Sequence, residues 1–211
     1  MKDSTLSSPS TVPEAAPDKA LRQEMRRRAI AAREALDAAE RQHLTAQLCA
    51  QLSPLLTRLA PRCLGFCWPY RGEPDLVAFV ADWLADDGAR VAALPVVLGA
   101  EAPLTFAAWR PGVELVGDAF GIPVPAQREV VDPDVVLVPL NAFDNAGYRL
   151  GYGGGFFDRT LAARVPAPVA VGVGFELGRV ASIRPEPHDM PLDWIVTESG
   201  MFGPFRGKNP I

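Results

Sequence analysis

The chain has 211 residues, 48% of them apolar, a formal net charge of −4 and a pI near 5.3. That length and that core-forming content fit one folded domain and exclude general disorder. The mildly acidic balance excludes an electrostatic footprint for nucleic acid, so an anionic ligand has to be held by a local cluster of cations.

Residues 1–18, "MKDSTLSSPSTVPEAAPD", are rich in Ser, Thr, Pro and Ala and have no apolar stretch of the kind a secretory signal needs. They are expected to be a disordered arm before one α/β domain over 19–211. From Lys19 to about Arg58 the sequence predicts helix, broken near Leu36 where Asp37 and Glu40 resemble a capping box. "RCLGFCW" (62–68) predicts a buried strand, and "PYRGEP" the loop leaving it. Leu76, Phe79, Val80, Trp83 and Leu84 recur at helical spacing, with Gly88 expected as the C-cap.

"ARVAALPVV" and "LTFAAW" predict strands, and "FGIPVPAQREVVDP" a proline-rich surface passage with little regular structure. "DVVLVPL" is a continuous apolar run suited to a central strand covered on both faces. "FFDRTLAARV" predicts a helix, then "PVAVGVGF" and "LDWIVT" two more strands. Strands alternating with helices imply a single three-layer domain, a mostly parallel sheet with helices on both faces. In such sheets ligands bind outside the carboxyl ends of the strands.

The passage "NAGYRLGYGGGFFDRTLA" follows one of those strands and holds five glycines. It is not a Walker A loop, since no lysine occurs between Lys19 and Lys208, and Phe156 stands where a dinucleotide fingerprint needs its third glycine. Bare backbone N–H groups beside a helix N-terminus and Arg149 still favour an anion, with phosphate the best candidate. Asp158 is an odd neighbour for a phosphate unless a cation such as Mg²⁺ lies between them. The plain alternative is a tight turn in which Asp158 only complements the helix dipole.

The stretch "GYRLGYGGGFFD", Gly147 to Asp158, resembles the signature G-x-R-L-G-x-G-x-G-[YF]-[YF]-D of the 5-formyltetrahydrofolate cyclo-ligase (5,10-methenyltetrahydrofolate synthetase) family. The likeness runs from about Arg22 to Glu198. It implies a scaffold like that of sugar-phosphate isomerases and CoA transferases. It also implies ATP- and Mg²⁺-dependent conversion of 5-formyltetrahydrofolate to 5,10-methenyltetrahydrofolate.

By that resemblance the family's basic pair on the first helix falls on Arg22 and Arg26, "RQEMR", and reaches the nucleotide phosphates. Spacing of four places both on one helical face. Arg149, Gly151, Tyr152, Gly153, Gly154, Gly155, Phe156 and Phe157 are implied to complete the nucleotide site, with Arg149 and Asp158 catalytic. Trp68 and Glu73 in "FCWPYRGEPD", with Tyr152 and Phe156, are implied to line the folate site; a carboxylate suits the donor edge of an aminopyrimidine. Asp158 and Asp193 are the implied metal carboxylates.

The sequence departs from the family in carrying "FFD" where many relatives have "YYD". His188 and Asp189 suggest a dyad, but neighbours on an extended chain point apart, so a loop role for His188 is expected. His43 is expected to be inert, and Cys63 and Cys67 to be buried thiols. The three cysteines cannot all pair and form no CxxC, which with no apolar run long enough to span a membrane indicates a cytoplasmic protein. A monomer binding 5-formyltetrahydrofolate and ATP, and neither nucleic acid nor membrane, is expected. Two alternatives stay open on sequence: a phosphate- or nucleotide-binding module without catalysis, and a sugar-phosphate isomerase-like enzyme on a related scaffold.

Overall fold

A computed structural model of the protein describes residues 15–206. Most of the expected arm over 1–18 lies outside the described residues, and Ala15 to Asp18 already belong to the first helix. The predicted helical stretch is two helices, α1 (Ala15–Glu34) and α2 (Ala38–Leu59). They break where expected: Asp37 is extended, and its side chain accepts the Glu40 N–H at 2.8 Å. Helix α2 stops at Ala60, whose left-handed backbone (φ 46°) donates back to Leu56 O and is followed by Pro61.

The main sheet runs in the order β12-β11-β10-β7-β1-β2-β3-β6. Its parallel centre is β1 (Cys63–Gly65), β2 (Val91–Val96), β7 (Val135–Pro139), β10 (Val169–Val173) and β11 (Trp194–Thr197). Three antiparallel strands, β3 (Thr105–Trp109), β6 (Val130–Val131) and β12 (Gly200–Phe202), complete the edges. Strand β7 shows why the centre reads as one apolar run. Val135 and Leu137 join the layer under α2 and α3 (Val77–Ala85), while Val136 and Val138 join the opposite layer with Leu161 of α4 (Phe156–Ala163).

Several expectations are corrected. The strand expected over 62–68 is three residues long; Phe66 still bonds Ala93 O at 2.9 Å, but Cys67 and Trp68 turn off to line a cavity. Gly88 does not cap α3, because Asp86 does so in right-handed conformation and Gly88 falls in the next turn. The proline-rich passage contains ordered β structure: β6, and β5 (Pro123–Pro125) paired with β4 (Leu115–Gly117). A hairpin of β8 (Ala142–Phe143) and β9 (Arg149–Leu150) leads into the glycine loop. Among the described residues, no helix is long and apolar enough to cross a membrane.

Helix α1 packs unusually. The face it turns inward includes Ala29 and Ile30, but also Arg22 and Arg33, at 5% and 2% exposure. Met25 and Ala29 rest on Ala142, Leu150 and Ile183, which brings that arginine face against the β8–β9 hairpin and the loop beyond it.

Candidate active site

One cavity of about 410 Å³ lies at the carboxyl ends of β1, β2 and β7. It brings together Arg22, Arg26, Trp68, Glu73, Arg149 and the whole run from Gly151 to Asp158. Thirteen expected residues therefore meet in one place, drawn from α1, the loop after β1, β9, the glycine loop and α4.

The glycine loop is shaped to present backbone. Gly153 (φ 98°) and Gly155 (φ 66°) adopt left-handed conformations that side chains rarely take. Among the described residues, none accepts a hydrogen bond from the N–H groups of Gly153 to Asp158. Those of Phe156 to Asp158 form the open first turn of α4, where the helix dipole also favours negative charge. A Cβ on Gly154 would stand 2.7 Å from the Phe156 ring, so that position has no room for a side chain.

The cations differ in how free they are. Arg22 is clasped by Asp189 through two hydrogen bonds, 2.6 and 3.0 Å, and also donates to Arg184 O. Arg149 bonds Asp158 Oδ1 at 2.8 Å and Met190 O at 3.0 Å. Arg26 donates through Nε to Gly151 O at 3.0 Å, and no carboxylate among the described residues pairs with it. Burial, then the neighbouring Arg22 charge, lowers the Arg26 pKa from its ordinary value. It remains a cation facing the loop.

On the other side, Glu73 Oε1 accepts the Tyr152 hydroxyl at 2.8 Å and Oε2 accepts the Tyr70 N–H at 3.1 Å. Burial pushes the Glu73 carboxyl up, opposed by Arg33, Tyr152 and the Tyr70 N–H. Trp68 and Cys67 line the same end, and Tyr70 meets Tyr152 edge-on at 5.5 Å. Phe156 meets Phe120 edge-on at 6.2 Å.

Asp193 is the correction. It is 1% exposed and does not line the cavity; its Oδ2 accepts the Ala170 N–H at 2.8 Å. Because β11 runs parallel to β10, the residue before β11 lies beside the start of β10, toward the amino ends of the strands. The cavity is at their carboxyl ends, so Asp193 cannot share a ligand with Asp158. The acid of that segment that does line the cavity is Asp189, four residues earlier. Among the described residues, no group of three or more His, Cys, Asp or Glu side chains forms a metal cluster.

His188 is exposed at the cavity edge, 3.3 Å from Glu186 and 4.0 Å from Asp189 Oδ1, too far for a dyad hydrogen bond. His43 is exposed on α2. Burial raises the Cys49 and Cys63 thiols to about 11 and pushes the Cys67 thiol well up.

Sequence reasoning missed three contributors. Asp118 and Phe120 reach the cavity from the β4–β5 turn, where Asp118 Oδ1 accepts the N–H groups of Phe120 and Ile122. The available signal was a Phe within the turn-like run "GDAFG"; it is 58% exposed in the structure. Arg33, passed over among the arginines of "MRRRAIAAR", is the most connected side chain behind the site.

The model of the 5-formyltetrahydrofolate cyclo-ligase family matches residues 17–198. The chain belongs to that family. The 5-formyltetrahydrofolate cyclo-ligase of Mycolicibacterium smegmatis is 39% identical over 140 residues, 61% of this chain and 70% of that protein. The NMR structure of Aquifex aeolicus 5,10-methenyltetrahydrofolate synthetase superposes with a TM-score of 0.74 at 28% identity, covering 90% of this chain and 96% of that one. The Mycoplasma pneumoniae 5,10-methenyltetrahydrofolate synthetase shares the fold, with a TM-score of 0.69 at 21% identity over 84% and 98% of the two chains. The protein is thus an enzyme of the cyclo-ligase family on that family's α/β fold.

Proposed function

We propose that this cyclo-ligase converts 5-formyltetrahydrofolate and ATP to 5,10-methenyltetrahydrofolate, ADP and phosphate, with Mg²⁺ as the metal. One observation carries the reading. The unpaired N–H groups of Gly153 to Asp158 open into the same cavity as Trp68 and Glu73, so a phosphate cradle and a site for a flat heterocycle face each other.

The chemistry explains why both must share one cavity. A formamide oxygen is a poor leaving group. Its attack on the γ-phosphorus forms an O–P bond, breaks the bond to ADP and turns that oxygen into a good leaving group. The neighbouring folate nitrogen then attacks the activated carbon and loses its proton, and phosphate departs as the ring closes. Little of this needs a protein nucleophile; it needs two substrates held in line and charge neutralised as it moves.

The loop N–H groups and Arg26 hold the phosphates, with Arg22 and Arg149 adding positive charge at the two edges. Phe156 and Phe157, in the first turn of α4, present their N–H groups to the nucleotide. Trp68, Tyr152 and Phe156 flank the folate ring, and Glu73 accepts from its donor edge.

Asp158 fits a metal ligand. Its Oδ1 is used by Arg149 and the Met190 N–H, while Oδ2 accepts from no described residue and the side chain lines the cavity. One carboxylate together with substrate phosphates and water is an ordinary Mg²⁺ environment. Bound there, Mg²⁺ would neutralise negative charge on the transferring phosphoryl group. Asp189 also lines the cavity, in the place first given to Asp193, with both its oxygens accepting from Arg22.

A monomer is expected to be competent. Three free, partly buried cysteines with raised or unreactive thiols suit a reducing cytoplasm. The test is ADP release measured with and without 5-formyltetrahydrofolate. Release that requires the folate supports the reading; release indifferent to it reduces the site to a nucleotide hydrolase.

A further inference from the structure

Arg33 is buried at the end of α1 and does not itself line the cavity. Its guanidinium donates to Arg71 O (3.0 Å), Leu140 O (3.1 Å), Asn141 Oδ1 (3.0 Å) and the Tyr152 hydroxyl (2.8 Å). The nearest Glu73 oxygen, Oε1, is 3.9 Å away and takes its hydrogen bond from Tyr152 instead.

A guanidinium can only donate. The Tyr152 oxygen must therefore accept from Arg33, which turns its single proton toward Glu73 Oε1. Its other acceptor within reach, Tyr70 O, stands at 3.5 Å. Glu73 Oε2 meanwhile accepts the Tyr70 N–H. Protein donors thus commit both carboxyl oxygens as acceptors, and each keeps a lone pair for a ligand.

We propose that Arg33 is a positioning residue for this reaction: through the Tyr152 hydroxyl it holds Glu73 as a hydrogen-bond acceptor for the donor edge of the folate ring and ties that acid to the glycine loop. The inference rests on the reading of Glu73 as a folate contact. The groups facing Glu73 are Arg33 from α1, Tyr152 from the loop, and Tyr70 and Cys67 from its own segment. Cys67 is a neutral thiol, so Arg33 supplies the positive charge that opposes burial. Without the relay, Glu73 takes up a proton at higher pH and gives up an acceptor.

The experiment follows the Glu73 carboxyl by ¹³C NMR through a pH titration, the signal assigned by its loss in Glu73→Gln, in parallel with the KM for 5-formyltetrahydrofolate at pH 6 and pH 8. Tyr152→Phe keeps the ring and so the fold; Arg33→Gln and Arg33→Lys remove or retain the charge. The Glu73 midpoint is expected to rise by about one pH unit, a tenfold gain in proton affinity, in Tyr152→Phe and Arg33→Gln, with Arg33→Lys restoring part of it. Their folate KM should climb more steeply from pH 8 to pH 6 than that of the native protein. An unmoved midpoint in Tyr152→Phe, or KM losses equal at both pH values with Arg33→Lys no better than Arg33→Gln, overturns the relay. A raised midpoint together with a folate KM indifferent to Glu73→Gln upholds the relay and overturns instead the assignment of Glu73 to folate.

Discussion

Arg149 and Asp158, nine residues apart, meet at 2.8 Å across the glycine loop, and the Met190 backbone closes on both: its N–H on Asp158 and its carbonyl on Arg149. The loop is therefore clamped at its two ends by one ion pair. The same pair puts a cation beside a carboxylate whose Oδ2 accepts from no described residue, at the edge of the glycine loop.

Asp158→Asn tests the second half of that arrangement. The amide keeps the shape and can still accept from the Met190 N–H, but it loses the charge a metal needs. Turnover should fall at least about a hundredfold, the order seen when one stabiliser of transferring charge is removed. Folding, followed by circular dichroism, should persist. Near-native turnover at ordinary Mg²⁺ would remove Asp158 from the metal site.

The Arg22–Asp189 clasp is a structural element as well as a site edge. Burial alone would raise the Asp189 carboxyl, but the Arg22 hydrogen bonds and the Glu186 N–H outweigh it, and its pKa lies below the ordinary aspartate value. A depressed carboxylate stabilises the fold above its unfolded pKa, about 4, and that contribution fades as pH falls through the lower folded value. Urea midpoints measured from pH 6 down to pH 3 should drop in the native protein and drop less in Asp189→Asn. At neutral pH, Arg22→Gln or Asp189→Asn should each cost about 3 kcal/mol, and the double variant much less than the sum.

Of the three arginines that line the cavity, Arg26 is the one that pairs with no carboxylate among the described residues, so the nucleotide should feel its loss most. Arg26→Gln is expected to raise the KM for ATP by about tenfold or more, the value of one charge-assisted contact. Steady-state kinetics with each substrate varied in turn will show it. An ATP KM unchanged in this variant would take Arg26 out of the phosphate site.

Phe156 packs over Gly154 with the Arg159 guanidinium 5.1 Å from its ring. Phe156→Tyr adds a hydroxyl inside the cavity and should shift the KM of at least one substrate several-fold while turnover is retained. Unchanged KM values for both substrates would mean that the ring face, not its edge, is what the ligand meets.

What the sequence made legible follows from how local each signal is. The central strand, the break at Asp37 and the glycine loop are written in consecutive residues, and all three stand where the pattern put them. Asp193 misled because a linear motif does not tell which end of a parallel strand a flanking acid reaches; the register of β11 against β10 decides it. Arg33 was hidden because its neighbours on the helix, Arg27 and Arg28, do face water, and only the packing of α1 on the β8–β9 hairpin separates them. Phe120 was discounted with its proline-rich surroundings, whose short strands pair through contacts too brief to show as periodicity.

We propose that one cavity joins ATP to 5-formyltetrahydrofolate. The most direct test follows the absorbance band of methenyltetrahydrofolate on mixing the protein with 5-formyltetrahydrofolate, ATP and Mg²⁺, and again with each omitted. A rise that needs all three is the expected result. No rise in the complete mixture, from protein that still binds ATP, would contradict the account and leave the glycine loop a phosphate cradle serving some other substrate.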